Sequence, residues 1–283
     1  MSADEQNSCI LCHGTTSTPV HRRDRWRYVQ CAACGLVWIV PRPSSAELAD
    51  NYEDYLPVDP GEIAAWDRMM KPVIDSSIRV ISERAGSQRG RVLDIGCGFG
   101  FFLREMKNRG WQAEGVEISP AGSRYTRDML DVPVHVHPLE ELELADDVFD
   151  VVTLFYVIEH VPDPIKLLKE VNRILKPGGL VLLRWPHSTP IVRLLGRLSE
   201  NLDLYHTPYH LYDFSPATMN ALLRRTGFRR IETVIGGFTK PPQVAYRIAS
   251  LVFGGLAEAL CRLSHGTVML PGVSKTTTAF AGR

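Results

Sequence analysis

Hydrophobic positions along the chain change their period from region to region. Ile63, Trp66, Met70, Val73, Ile78 and Ile81 recur at near-helical spacing across 62–84, which predicts an amphipathic helix that packs on a sheet. From Arg91 onward, short apolar runs alternate with amphipathic stretches. Segments 91–95, 112–117, 134–136, 149–155 and 180–184 read as strands with helices between them, the pattern of a parallel sheet covered by helices. Ser119-Pro120, Asp163-Pro164 and Ser215-Pro216 each set a capping residue before a proline at the first helical position. Gly110 and Gly227 stand where glycine ends a helix. Later come a strand over 231–235, an apolar helix over 243–263 and an edge strand over 276–281. Ahead of the sheet, Ser44 and Glu47 have capping-box spacing and predict a short helix over 46–52, followed by a linker over 55–61.

Composition narrows this picture only a little. The 283 residues are 45% hydrophobic and 23% charged, ordinary values for a packed protein. Thirty-two basic residues balance thirty-two acidic ones, which argues against a surface built throughout to grip nucleic acid. Residues 1–8, MSADEQNS, show neither a basic nor an apolar signal region, so a cytoplasmic location with reduced thiols is expected. The apolar stretch 248–257 is about half the length needed to cross a bilayer.

In a reducing compartment, paired cysteines are metal ligands more often than disulfides. Cys9-x2-Cys12 and Cys31-x2-Cys34 are separated by eighteen residues, the spacing of a four-cysteine zinc site. Four thiolates complete a tetrahedral shell, so Cys9, Cys12, Cys31 and Cys34 predict a structural Zn2+ in a small ribbon. The expected organisation is a zinc ribbon over 1–40, a linker with N-terminal helices over 41–85, and an α/β domain over 86–283. Between the pairs, a strand over 21–28 would set Arg23, Arg25 and Arg27 on one face and Trp26 and Tyr28 on the other. That basic face reads either as a solvated hairpin surface or as an anion site for a phosphorylated sugar, a lipid phosphate or RNA. Cys97 and Cys261 read as small core residues.

The candidate chemistry begins in Val92-Leu93-Asp94-Ile95-Gly96-Cys97-Gly98-Phe99-Gly100, a strand running through alternate glycines into a helix over 101–109. Glycines there let backbone approach a ligand where a Cβ would collide. The spacing is G-x-G-x-G rather than the dinucleotide pattern G-x-G-x-x-G. Asp94 would repel a pyrophosphate but suits a cationic amino-acid group, and Glu117, ending the next strand, is placed to accept from ribose hydroxyls.

VLDIGCGFG followed by EGVEIS resembles the first two motifs of the class I S-adenosylmethionine (SAM) dependent methyltransferases. The resemblance continues through FDVVTLFYVIEHVPDP, LKPGGLVLLRWP and PYHLYDFSPATMNALLRRTGF. It implies a Rossmann-like fold whose mostly parallel seven-stranded sheet has the order 3-2-1-4-5-7-6, with SAM across the carboxyl ends of the strands. Carried over, Asp94, Gly96, Cys97, Gly98 and Gly100 would cradle the methionine part, and Glu117 with Ile118 the ribose and adenine. Phe155 and Tyr156 would lie beside the sulfonium. Where relatives often carry an aspartate for the adenine amino group, this chain has Pro138, which leaves that contact to the Leu139 backbone or Glu140.

A base is needed only if the acceptor holds a proton. His160, in Glu159-His160-Val161-Pro162-Asp163-Pro164, follows the fourth strand of the α/β pattern and reads either as a base or as a loop-packing residue. His187, Tyr205, His206, Tyr209, His210 and Tyr212 should roof the acceptor pocket, with His210 the first choice of base there. Ubiquinone-pathway O-methyltransferases resemble this chain around EHVPDP and pair its Glu-His with an earlier acidic residue. Tyr156 stands at that place here, so the resemblance does not carry a catalytic metal over.

The leading expectation is a methyltransferase acting on a small molecule or glycoconjugate precursor, phosphorylated or sugar-linked, because zinc-ribbon fusions resemble enzymes of polysaccharide and natural-product pathways. A second is an RNA methyltransferase that uses its ribbon on RNA, and a third is a SAM-binding interaction module without catalysis. The 243–263 helix, flanked by charges, reads as core packing ahead of a peripheral membrane contact or a homodimer face.

Overall fold

A computed structural model describes residues 8–44, 46–48, 56–86, 89–239, 244–264, 269–270 and 273–282. The N-terminal part forms three antiparallel strands, β1 (Ser17–Arg23), β2 (Trp26–Cys31) and β3 (Val37–Val40). The 21–28 segment expected as one strand is the tip of the β1–β2 hairpin, which turns at Asp24 with φ 52°. His21, Trp26 and Tyr28 are buried, while Arg22, Arg25 and Arg27 face solvent. Ser44 and Glu47 exchange the bonds of a capping box, and a helix begins at 46–48. The rest of the helix expected over 46–52 lies outside the described residues.

The long helix α1 (Pro60–Ala85) starts earlier than its apolar pattern did, because the Asp59 side chain accepts from Glu62 N and Pro60 opens the helix. It buries Ile63, Val73, Ile74, Ile78 and Ile81. After it come β4 (Arg91–Ile95), α2 (Phe101–Asn108), β5 (Gln112–Val116), α3 (Pro120–Leu130), β6 (Val134–His135), β7 (Phe149–Phe155), α4 (Pro164–Ile174) and β8 (Leu175–Trp185). The chain ends through α5 (Thr189–Leu195), β9 (Tyr212–Asp213), α6 (Pro216–Arg225), β10 (Phe228–Ile235), α7 (Val244–Leu263) and β11 (Lys275–Ala281).

Seven strands form the large sheet in the order β10-β11-β8-β7-β4-β5-β6. Counted from β4, this is 3-2-1-4-5-7-6 read from the far edge, the expected Rossmann-like methyltransferase order. β11 alone runs opposite to the other six strands. It is an inner strand, paired to β8 on one side and β10 on the other, so the edge position expected for 276–281 belongs to β10. The central strands β7 and β8 are covered on both faces and accordingly read as nearly continuous apolar runs. The helices pack by narrower stripes: in α4, Asp163 caps Ile165 N and Lys166 N, and Leu167, Leu168, Val171 and Ile174 turn inward.

α7 departs from the expected core packing. Ile248, Leu251, Val252, Phe253 and Leu256 are exposed, and the helix is seated by its small residues instead. Ala257 and Cys261 are buried with Ile235 and Val273, and Gly254 lies so close to Phe238 that a Cβ would fall 2.5 Å from the ring. Among the described residues, no helix is long and apolar enough to cross a membrane.

β3 also pairs with β9, so the ribbon strands and the segment after β8 share a four-stranded sheet. Leu36, Val37, Trp38 and Ile39 belong to the same buried cluster as Leu154, Ile158, Leu183 and Trp185. Ribbon and large sheet thus have one continuous core.

Candidate active site

The site lies where the parallel strands end. Leaving β4, the chain turns through Gly96, Gly98 and Gly100, all at positive φ (69°, 53° and 66°), a region that side chains rarely adopt. A Cβ at Gly96 would meet Val157 at 2.4 Å and one at Gly100 would meet Thr126 at 2.6 Å, whereas nothing lies within 4 Å of a Cβ at Gly98. Two glycines are therefore pressed by neighbours, and the middle one faces open space that a side chain would fill.

Asp94 is buried beneath this turn and accepts from Thr153 Oγ1 at 2.7 Å. Burial, reinforced by the nearby Glu117 charge, pushes its carboxyl up to about 8. Glu117 follows β5 and accepts from Gly98 N and Ser119 N, both at 2.7 Å, while burial raises its pKa. A carboxylate has about four acceptor positions, so these two bonds leave capacity for a ligand. Two buried acids facing a side-chain-free bend fit a cationic amino-acid ligand such as the methionine end of SAM.

Around them, Ile118 is exposed and Leu139 is buried, while Phe155 rests on Phe102 with ring centroids 5.1 Å apart. Pro138 caps the short helical turn Leu139–Glu141. The Cys97 thiol turns into the core, where a Cβ at Gly115 would strike it at 2.6 Å, so Cys97 borders the loop only through its backbone.

Val157, which presses on Gly96, belongs to the turn after β7 and ties the glycine loop to a second group of side chains. Tyr156 takes φ 57°, and its Oη accepts from Arg184 Nε at 2.9 Å. Arg184 is almost wholly buried and gives its other bonds to Gly236 O, Gly237 O and Thr276 Oγ1. His160 Nδ1 lies 3.0 Å from Tyr209 O, so Nδ1 carries the proton and Nε2 remains an acceptor. His210 meets the His160 ring edge-on at 4.7 Å and stacks on His206 at 5.2 Å. Burial pushes His160 down to about 4 and His210 down as well, aided by neighbouring imidazoles. Both are neutral at pH 7.

Glu159 is buried, and neither of its carboxylate oxygens has a hydrogen-bond partner among the described residues; burial pushes it up to about 8. Glu159, His160 and His210 each bring one ligand atom within 4.8 Å of the others. Two imidazoles and a carboxylate form a donor set that could hold a divalent cation. His187 stands apart, lining a cavity of about 120 Å³ with Pro186, Ser188, Ile191, Leu204 and Ser274.

Sequence reasoning singled out His160 and His210 as bases, met Glu159 only as the Glu of the Glu-His pair in the ubiquinone-pathway resemblance, and missed Arg184. Each carried a signal: an acid at the end of the apolar run 149–158, and a cation at the end of the apolar strand 180–183. In the N-terminal ribbon Cys9, Cys12, Cys31 and Cys34 converge. Their four sulfurs lie within 4.8 Å of one another, with Cys9–Cys34 and Cys12–Cys31 at 3.4 Å and no disulfide among them. The set fits a tetrahedral zinc shell.

A family profile described as "Methyltransferase domain" matches residues 66–233. The chain is 32% identical over 200 residues to the ubiquinone biosynthesis O-methyltransferase of Pseudomonas aeruginosa, covering 65% of this chain and 86% of that protein. The protein of the same name from Pseudomonas syringae pv. tomato is 31% identical over 200 residues, with the same coverage. Among solved structures, a possible histamine N-methyltransferase from Thermotoga maritima superposes with a TM-score of 0.51 at 22% identity, over 78% of this chain and 95% of that one. A Haloferax volcanii complex of the Trm112 methyltransferase activator with a putative methyltransferase gives 0.56 at 20% identity, over 79% and 96%. At these identities the solved structures speak for the fold alone.

Proposed function

This chain belongs to the methyltransferase-domain family and is a SAM-dependent methyltransferase, and we propose that it moves the methyl group to a hydroxyl oxygen of a small molecule. The observation that carries this reading is that one turn, Val157–His160, joins a side-chain-free bend over buried Asp94 to the histidine group: Val157 presses on Gly96, its carbonyl accepts from His160 N at 2.9 Å, and the His160 ring meets His210. The O-methyltransferase name of the Pseudomonas relatives supports it.

In this reading Asp94, Gly96, Gly98, Gly100 and the Cys97 backbone hold the methionine end of SAM. Glu117, Ile118, Leu139 and Phe155 border its ribose and adenine. SAM supplies an electrophilic methyl on a sulfonium, which passes to the acceptor oxygen as the carbon–sulfur bond breaks. The protein's part is to align the two and to take the hydroxyl proton. An imidazole that is neutral at pH 7 has a ring nitrogen free to take it, and in this reading His210, seconded by His160, is the base. Tyr156, fixed by Arg184, borders the reacting methyl and orients the acceptor oxygen. Cys9, Cys12, Cys31 and Cys34 would hold a structural Zn2+, a four-thiolate shell that leaves no open position for chemistry.

The test is incubation of the full chain with methyl-labelled SAM and a panel of hydroxylated small molecules, nucleotide sugars included as glycoconjugate precursors. Labelled methyl ether, or labelled sugar product, is expected. Label passing only into RNA, or no transfer to any acceptor by protein that binds SAM and co-purifies with a partner, would overturn it.

A further inference from the structure

Tyr28 lies in β2 of the ribbon, 177 residues ahead of Tyr205 in the chain, yet the two rings stack at 4.1 Å with 17° between their planes. The Tyr28 ring is fully buried. Its hydroxyl donates to His210 O at 2.9 Å and reaches Tyr205 O at 3.4 Å. Burial pushes this phenol up, so it remains a donor throughout the working range. Nearby, Ile39 N donates to Leu211 O at 3.1 Å, and β3 pairs with Tyr212 and Asp213. From the opposite side, Glu159 O accepts from Leu211 N at 2.8 Å. Asp213 accepts from Ser188 N and Thr189 N, and Thr189 Oγ1 meets Tyr205 Oη at 2.9 Å.

The segment carrying His210 is therefore clamped between the ribbon and the turn that carries Glu159 and His160. We propose that the ribbon is a working wall of the acceptor half, with Tyr28 as a positioning residue that sets where His210 stands against His160 and Glu159. Packing alone does not account for the hydroxyl: a phenylalanine would stack on Tyr205 equally well, but it would leave the His210 carbonyl without this donor in a buried setting. A ribbon built to reach RNA would not spend its core aromatic and its inner strand on the enzyme's own roof. The proposal rests on the reading that His210 borders the reacting atoms.

The test compares full-length, zinc-loaded wild type with Tyr28→Phe by hydrogen exchange, by NMR of the histidine side chains, by SAM calorimetry and by turnover of the panel compound that wild type methylates best. In Tyr28→Phe, amides of residues 209–213 should exchange about tenfold faster, the size expected for one lost buried hydrogen bond. The His210 and His160 signals should shift. SAM affinity should stay within about twofold and kcat should fall about tenfold with KM little changed. Arg193→Met, which cuts the exposed link from Arg193 to Gln30, should act in the same direction more weakly and guards against a folding defect in the first variant. Unmoved exchange and histidine signals would overturn the proposal, as would a loss of SAM affinity in step with every other readout. If the segment loosens but His210→Ala turns over like wild type, the reading of His210 has failed rather than the clamp.

Discussion

The two halves of the site are made in different ways. The glycine-loop half is one stretch of chain, 92–100, with Glu117 at the end of the neighbouring strand, and its shape is set by backbone conformation and by side chains pressing on glycines. The histidine half is assembled from Tyr28, Glu159–His160, Arg184 and His210, brought together by burial and by hydrogen bonds across long sequence separations. A half built from one loop should tolerate damage elsewhere, while a half built from separate segments should loosen when any tie is cut.

Substitutions that separate the halves test this difference, the largest effect first. Removing the His210 imidazole, as in His210→Ala, should lower kcat by about 10²- to 10⁴-fold, the span usual for a lost base, with SAM affinity unchanged by calorimetry. A joint loss of binding would show that the halves are not separable. Gly98→Val fills the open space of the bend and forces a branched side chain to φ 53°. SAM affinity should fall by about 100-fold or more, with the His160 and His210 NMR signals in place. Chelating the ribbon metal should release about one zinc per chain and lower the unfolding midpoint by roughly 5 °C or more. Faster exchange should be concentrated at 205–213 and spare the glycine loop. Smallest is Ser215→Ala, which removes the cap on Thr218 N and should cost about 1 kcal/mol in denaturant unfolding without touching either half.

The same difference explains what could be read in advance. Strand 91–95, the glycine turn and the proline-opened helices at Pro120, Pro164 and Pro216 are local signals, each set by residues within a few positions of one another. The place of 276–281 between two strands was implied by the order 3-2-1-4-5-7-6 of the resemblance but not by the strand itself, which reads as an edge, because pairing partners are chosen by the whole sheet rather than by the strand's own alternation. The outward face of α7 was hidden for a related reason: its apolar residues outnumber its small ones, yet the small ones, Gly254 and Ala257, let it approach its neighbours. Arg184 and Glu159 look like ordinary strand-end charges until the fold removes their water. Tyr28 gave no sign of its role, since its bond to His210 O spans 182 residues.

The most direct measurement is calorimetry of SAM binding to wild type and Asp94→Asn between about pH 6 and 9. In the ligand-free protein, burial holds the Asp94 proton up to about 8, against an ordinary 3.8. The folded state therefore binds a proton that the unfolded chain has already lost, so this group's contribution to stability declines as pH rises through that window. A cationic ligand needs the carboxylate. Binding below pH 8 must then release a proton, and affinity should rise by up to about tenfold per pH unit before levelling off above it. Asp94→Asn should bind weakly with no such slope. Equal affinity at every pH in both proteins, or no binding of SAM by correctly folded wild type, would contradict the account.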